Sequence, residues 1–212
     1  VGIRNVLLVI PTSVCAADTA FKIASMVPGA IAIPNQHGCC QIGSDLALTR
    51  KTITGFGLNP NVGAVLVVGL GCDGVQAQDV ADDIAAVGKP SASIVIQECG
   101  GTLKTIAKGA EIAAPMAREL SNQARVDVDI CHLIMAMECG GSDPTSGLAS
   151  NPAIGVVADR LINLGGSAIL SETTEVIGAE HLIADRFEDP AQRAKFLAQV
   201  RHVEERAIRL GE

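Results

Sequence analysis

The sequence predicts a three-layer α/β fold, in which a mostly parallel sheet carries helices on both faces. Short aliphatic runs alternate along the chain with stretches of helical periodicity. Most of these runs are apolar at successive positions, which is typical of parallel strands buried on both faces. Hydrophobic residues make up 48% of the chain and charged residues 18%, so a sizeable core is expected and a disordered protein is excluded.

These runs predict six strands, with helices between them. The strands cover residues 6–10, 30–33, 64–68, 93–96, 130–137 and 168–170. The helices lie near residues 16–26, 43–57, 75–87, 101–122 and 152–164. Asn151 and Pro152 suit the N-cap and first position of the last of these helices, and Gly165-Gly166 supplies its end.

The expected domain organisation is one α/β core over residues 1–189, followed by an amphipathic helix over residues 190–212. Phe196, Val200 and Val203 recur there at helical spacing. This helix either packs back or leads to a further region that is absent here. Residues 141–151 are rich in turn formers, and a long loop within a compact domain is usually functional.

Composition excludes several classes of function. The formal net charge is -7 and no basic cluster occurs, which argues against a nucleic-acid surface. No apolar run approaches the roughly 18 residues of a membrane span, so no membrane partner is expected. Seven cysteines without a signal peptide indicate reduced thiols, and hence a cytoplasmic protein.

Cysteines beside glycines follow several of the predicted strands. They are Cys39 with Cys40, Cys72, Cys99 and Cys139. Because the carboxyl ends of parallel strands share one edge, we expect Cys39, Cys72 and Cys139 to lie near one another. No Cys-x-x-Cys spacing occurs, so no zinc-ribbon template applies. Cys131, within a predicted strand, is expected to be buried.

Acidic residues and one histidine accompany these thiols. Glu138, Glu172 and Glu175 lie at or just past strand ends, where a carboxylate orients a ligand, abstracts a proton or caps the next helix. His37 precedes Gly38-Cys39 and is a candidate for the same edge, or a locally bonded loop residue. His132 shares a predicted strand with core residues and is expected to be buried there.

A nominal dinucleotide fingerprint, Gly69-x-Gly71-x-x-Gly74, follows the third strand. The acidic residue expected about 20 positions later is absent from the end of the next strand. Asp73 within the turn also repels pyrophosphate. We therefore reject NAD binding.

At these same elements the chain resembles the altronate/galactarate dehydratase family. The shared stretches are residues 1–5, 11–15, Gly38-Cys39 with Gln41 and Gly43, 61–72, Glu138-Cys-Gly-Gly-Ser-Asp143, Ser146-Gly147, Asn151-Pro152, Glu172, Glu175 and 178–180. They occur in order over nearly the whole chain.

The resemblance implies a hydro-lyase that dehydrates a small anionic sugar acid, an aldonate or aldarate, to a 2-keto-3-deoxy acid. It implies dependence on Fe²⁺ or Mn²⁺, with Cys15, Cys39, Cys72 and Cys139 as candidate ligands. Glu138, Glu172, Glu175 and His37 are the candidate catalytic residues. Substrate contacts are assigned to Arg4, Asn5, Gly140, Gly141, Ser142 and Asp143.

The resemblance also implies partners: a small β-rich N-terminal domain or separate subunit, a further C-terminal region, and a homo-oligomer. Four alternatives stay open. In the first, the site holds an iron–sulfur cluster rather than a single metal, which the colour of the protein would reveal. In the second, the reaction is a sulfolactate sulfo-lyase type of C–S cleavage. In the third, the chain is a non-catalytic subunit or interaction module, and in the fourth its thiols act in redox regulation.

Overall fold

A computed structural model describes residues 2–141 and 143–212 of the chain. The chain divides into two compact units, residues 1–127 and residues 128–212. The predicted tail helix is present and belongs to the second unit. The predicted division into a core over residues 1–189 and a tail helix over residues 190–212 that leads to a further region stays a prediction.

The first unit is built on a four-stranded parallel sheet. Its strands are β1 (Val6–Pro11), β2 (Ala30–Ala32), β3 (Val62–Gly69) and β4 (Ser91–Val95), in the order β2-β1-β3-β4. Its helices are α1 (Val14–Met26), α2 (Gly43–Leu58), α3 (Ala77–Ala85) and α4 (Thr102–Ser121). Every strand and helix predicted within residues 1–127 is therefore confirmed, with bounds shifted by a few residues.

The sheet is covered on both faces because successive strand residues are apolar. On β1, Leu7 and Val9 pack in one core with α1 and α4. The alternate residues Leu8 and Ile10 pack in a second core with α2 and α3. This arrangement of helices, sheet and helices confirms the predicted three-layer α/β fold.

The strand order creates a switch point at the carboxyl edge of the sheet. From β1 the chain passes through α1 to β2 on one side, whereas from β3 it passes through α3 to β4 on the other. The loops after β1 and β3 thus turn away from each other above neighbouring strands. In open α/β sheets, ligands bind in the crevice formed there.

The described residues of the second unit form a two-stranded parallel sheet and three α-helices. Its elements are β5 (Ile134–Met137), β6 (Ser167–Leu170), α5 (Asn151–Asn163), α6 (Glu180–Ala184) and α7 (Pro190–Leu210). α7 packs back within this unit: Val200 is buried, and the Phe196 ring stacks on Phe187 with centroids 5.3 Å apart.

Two local expectations for the second unit are wrong. The strand predicted from residue 130 begins at Ile134, because residues 130–132 form a 3₁₀ turn. The Asp129 side chain accepts the Cys131 N–H at 2.8 Å and fixes that turn, so Cys131 and His132 are exposed rather than buried in a strand. The predicted loop at 141–151 is also partly helical, since Ser146–Ser150 form a π-helical turn running directly into α5. Asn151 therefore lies inside a continuous helical segment and does not cap it.

None of the helices formed by the described residues has the length and apolar character needed to cross a membrane.

Candidate functional site

The loop between β2 and α2 is fastened to the carboxyl edge of the first unit by backbone and amide hydrogen bonds. The Asn35 side-chain amide donates to the Thr12 carbonyl at 3.0 Å. The Val14 N–H donates to the His37 carbonyl at 3.1 Å, and the Gly74 N–H donates to the Gly38 carbonyl at 3.2 Å. The ends of β1, β2 and β3 are thereby tied together at the switch point.

Glycine is required at position 38 for two reasons. Its φ is +91°, in the left-handed region that side chains disfavour. A Cβ atom there would also overlap the Thr12 carbonyl oxygen, which is backbone and cannot swing aside. The close approach of the loop to β1 therefore depends on this residue.

Four thiols of the first unit lie near one another at this edge: Cys15, Cys39, Cys40 and Cys72. Cys15 lies in the first turn of α1, and the Cys39 and Cys40 Sγ atoms are 3.7 Å apart. The hydrogen bond with Cys40 raises the pKa of the Cys39 thiol, and charge repulsion from Cys40, Cys15 and Cys72 raises it further. Cys139 follows the end of β5 in the other unit, and its predicted proximity to Cys39 and Cys72 stays a prediction.

The thiol cluster does not fit a metal site. Within residues 2–141 and 143–212, no group of three or more His, Cys, Asp or Glu side chains is placed to hold a metal ion. The ligand set expected from Cys15, Cys39, Cys72 and Cys139 is therefore not assembled within either unit.

The turn after β3 is closed by its own carboxylate. Asp73 is 7% exposed, and its Oδ2 accepts the N–H groups of Leu70 at 2.5 Å and Gly71 at 3.2 Å. These are the N–H groups that a bound phosphate would need. The geometry supports the rejection of NAD at this turn.

His37 lines a cavity of about 370 Å³ beside α2. The cavity floor is apolar, and Asn35, Gln41 and Asp45 contribute polar groups to its wall. Both amides are already engaged in loop contacts. Asn35 donates to the Thr12 carbonyl and accepts from the His37 N–H, and Gln41 Oε1 accepts from the Gly38 N–H and the Thr49 hydroxyl. His37 thus belongs to the carboxyl edge of the first unit.

Arg4 and Asn5 lie at the opposite edge of the sheet from the thiols. They precede β1, whose six residues span about 20 Å at roughly 3.3 Å per residue. The Asn5 amide donates to the Leu120 carbonyl at 3.2 Å and to Gln123 at 2.8 Å, at the end of α4. No site the size of a sugar acid includes both these residues and the thiol cluster.

The predicted acids are brought together in the second unit. A cavity of about 470 Å³ lies between α5 and the ends of β5 and β6. Its ionisable lining residues are Glu138, Cys139, Asp159, Glu172, Glu175 and Arg186. The three glutamates singled out from the sequence therefore share one pocket.

Glu172 is oriented by the neighbouring strand end. The Cys139 N–H donates to Glu172 Oε2 at 2.7 Å, which leaves Oε1 of that carboxylate outside this contact. The Ser171 hydroxyl donates to the Met137 carbonyl at 2.8 Å and joins the same two strand ends. Glu172 itself has a φ of +66°, a left-handed conformation that is uncommon for a residue with a side chain.

Asp143 anchors the loop after β5. Hydrogen bonds from the Thr145 hydroxyl and from the N–H groups of Thr145 and Ser146 hold the pKa of this carboxyl below its usual range. The Ser146 hydroxyl donates to the Gly141 carbonyl at 3.0 Å, next to Gly140. Asp143 lines a further cavity with Cys139 and Glu175. Ser142, also predicted as a substrate contact, lies outside the described residues.

Sequence reasoning missed Asp159 and Arg186. A signal for Asp159 existed, because the pocket-lining positions of α5 follow helical spacing: 151, 154, 155, 158, 159 and 162. No pattern marks Arg186, which follows the short helix α6 and reaches the pocket through tertiary structure alone.

Comparison with known proteins identifies relatives of both units. Residues 1–121 match the family described as D-galactarate dehydratase/Altronate hydrolase, second domain. Residues 130–212 match D-galactarate/Altronate dehydratase, C-terminal. The gap between these matches contains the junction of the two units.

Three similar proteins illustrate the range of activities. The chain is 36% identical to the beta subunit of (2R)-sulfolactate sulfo-lyase from Chromohalobacter salexigens, over 93% of this chain and 50% of that protein. It is 31% identical to altronate dehydratase from Escherichia coli, over 94% of this chain and 42% of that protein. It is 36% identical to galactarate dehydratase (L-threo-forming) from Escherichia coli, over 64% of this chain and 27% of that protein. The chain thus spans half or less of the length of these relatives.

Proposed function

The chain belongs to the D-galactarate dehydratase/altronate hydrolase family, and we propose that it is part of a lyase that dehydrates a sugar acid to a 2-keto-3-deoxy acid. The observation that carries this proposal is the pocket of the second unit, where Glu138, Glu172 and Glu175 converge. Dehydration needs one group to remove a proton and another to protonate the departing hydroxide, which several carboxylates in one cavity can supply.

Glu172 is the proposed general base. The Cys139 N–H fixes one of its oxygens, so the carboxylate is held in one orientation at no further entropic cost during the reaction. The base takes the proton on the carbon next to the substrate carboxylate. Glu138 and Glu175 line the same cavity and are the proposed donors to the leaving hydroxide. His37 lies in the first unit, and no step of the reaction is assigned to it.

A divalent metal remains a proposal for the complete enzyme. Fe²⁺ or Mn²⁺ would stabilise negative charge on the substrate carboxylate, and an iron–sulfur cluster is the alternative. Neither unit assembles three ligands from its described residues, so no step is assigned to a metal here. Metal analysis of the full-length protein, together with its absorbance near 400 nm, distinguishes a single metal ion from an iron–sulfur cluster.

A C–S lyase is supported about as well as a dehydratase. The sulfo-lyase beta subunit is 36% identical over 93% of this chain. The same base would remove the same type of proton, but sulfite would leave instead of hydroxide and would need no proton from Glu138 or Glu175.

The test is a substrate screen with the full-length protein. Aldonates, aldarates and (2R)-sulfolactate are supplied separately, and 2-keto acid and sulfite are measured. A 2-keto-3-deoxy acid from a sugar acid supports the dehydratase, and sulfite from sulfolactate supports the C–S lyase. If neither product forms under anaerobic conditions with added Fe²⁺ or Mn²⁺, the proposed function is wrong.

The complete protein is proposed to contain more than this chain. A β-rich N-terminal domain or small subunit and a further C-terminal region would account for the greater length of the relatives. We also propose a homo-oligomer and, from the seven cysteines, a cytoplasmic location. Light scattering of the full-length protein measures its oligomeric state.

A further inference from the structure

Arg186 stands out in the acidic pocket because of its charge. Of the described residues that line this cavity, it alone is a cation, against Glu138, Asp159, Glu172 and Glu175. An anionic substrate entering among these four carboxylates meets repulsion, which a nearby positive charge must offset. Arg186 is the group in the lining that can do so.

Among the described residues, none forms an ion pair with the guanidinium of Arg186. The ion pairs found among the described residues use Arg50 and Arg193 instead. Asp185, the chain neighbour of Arg186, bonds to Arg193 Nη2 at 2.7 Å. Arg186 therefore faces the cavity region without an ion pair in the part of the chain that the structure describes.

We propose that Arg186 binds the carboxylate of the substrate through two parallel hydrogen bonds. A planar guanidinium matches a carboxylate in this way, whereas a lysine ammonium does not. The substrate is then a 2-hydroxy or related carboxylic acid, held by its acid group while Glu172 removes the adjacent proton. This inference rests on the proposed function, but it holds for a dehydratase and a C–S lyase alike, since both substrates carry a carboxylate.

The role is one of substrate binding, and substitution should affect KM and ligand affinity. In the full-length protein we expect Arg186→Ala to raise KM about 10- to 100-fold, the range for a hydrogen bond to a charged group. Arg186→Lys should recover only part of the loss. Millimolar guanidinium should partly rescue Arg186→Ala, which a merely unfolded variant would not permit because guanidinium destabilises proteins.

The control is Arg160→Ala, which removes an exposed arginine of α5 that does not line the pocket. Binding that does not depend on turnover is measured by calorimetry with tartronate. This small 2-hydroxy acid has no hydroxyl on carbon 3, so it has no group to eliminate. Wild type and Arg160→Ala should bind tartronate equally, and Arg186→Ala should bind it about 10- to 100-fold more weakly. An unchanged KM, unchanged tartronate affinity or absence of wild-type binding would overturn the inference. A wild type that binds tartronate but forms neither product would instead refute the proposed function alone.

Discussion

Replacing Gly38 by alanine tests whether the carboxyl edge of the first unit depends on close packing of its loop. A left-handed φ of +91° costs a residue with a Cβ roughly 1–2 kcal/mol. Overlap of the new Cβ with the Thr12 carbonyl forces the loop away from β1, and the Gly74–Gly38 and Val14–His37 backbone bonds weaken with it. Each such bond contributes about 1 kcal/mol. The expected total loss is about 3–4 kcal/mol.

Gly29→Ala is the matched control for this substitution. Gly29 has a similar φ of +84°, but nothing lies within 4 Å of a Cβ built there. It should therefore lose only the conformational part, about 1–2 kcal/mol. Because the chain lacks Trp and Tyr, urea unfolding is followed by far-UV circular dichroism rather than fluorescence. Equal losses for the two variants would refute the argument that the loop is held against β1.

Three further predictions concern the thiols, the loop after β5 and the isolated chain. Cys40→Ala should lower the pKa of Cys39 towards its usual value, because the hydrogen bond and the charge that raise it are removed. Alkylation of Cys39 at pH 8 should then be faster, and an unchanged rate would contradict the prediction. Because the pKa of Asp143 is lowered, its hydrogen bonds stabilise the loop fully above the pH at which a free carboxyl titrates, and this stabilisation is lost as the pH falls through the lowered pKa. Protection of the Thr145 and Ser146 amides against exchange should therefore fall in acid. Asp143→Asn should remove this dependence on pH. Residues 1–212 alone should fold but dehydrate sugar acids poorly, because the match covers only 50% of the sulfo-lyase relative and we propose that the complete protein closes the pocket against water. Robust turnover without another polypeptide would contradict this.

The fold of the first unit could be predicted because its signal is local. Leu7 to Ile10 are all apolar, and only a strand with helices on both faces buries four such neighbours. The second unit shows where this fails. Residues 130–132 look like the start of a strand, yet the Asp129 side chain offers the backbone a turn instead. The hydrophobic pattern alone does not show whether the strand or this turn is the more stable.

The candidate site was predictable in part for a similar reason. Glu138 and Glu172 follow β5 and β6, and parallel pairing brings strand ends together, so their shared pocket could be expected. The contribution of Arg186 depends on how α6 packs, which no spacing reveals. Arg4 was placed with the site on resemblance, whereas the direction of β1 puts it at the opposite edge from the thiols.

Loss of activity in Glu172→Gln tests most directly the claim that this pocket performs proton abstraction. Glutamine keeps an oxygen that accepts the Cys139 N–H, so the fold should be retained while the base is lost. Glu180→Gln is the control, because Glu180 also accepts a backbone N–H at 2.7 Å, from Gly178, but does not line the pocket. Product formation by the full-length protein should fall about 10²- to 10⁴-fold in Glu172→Gln and stay unchanged in Glu180→Gln. Turnover by Glu172→Gln within a few-fold of wild type would contradict the account.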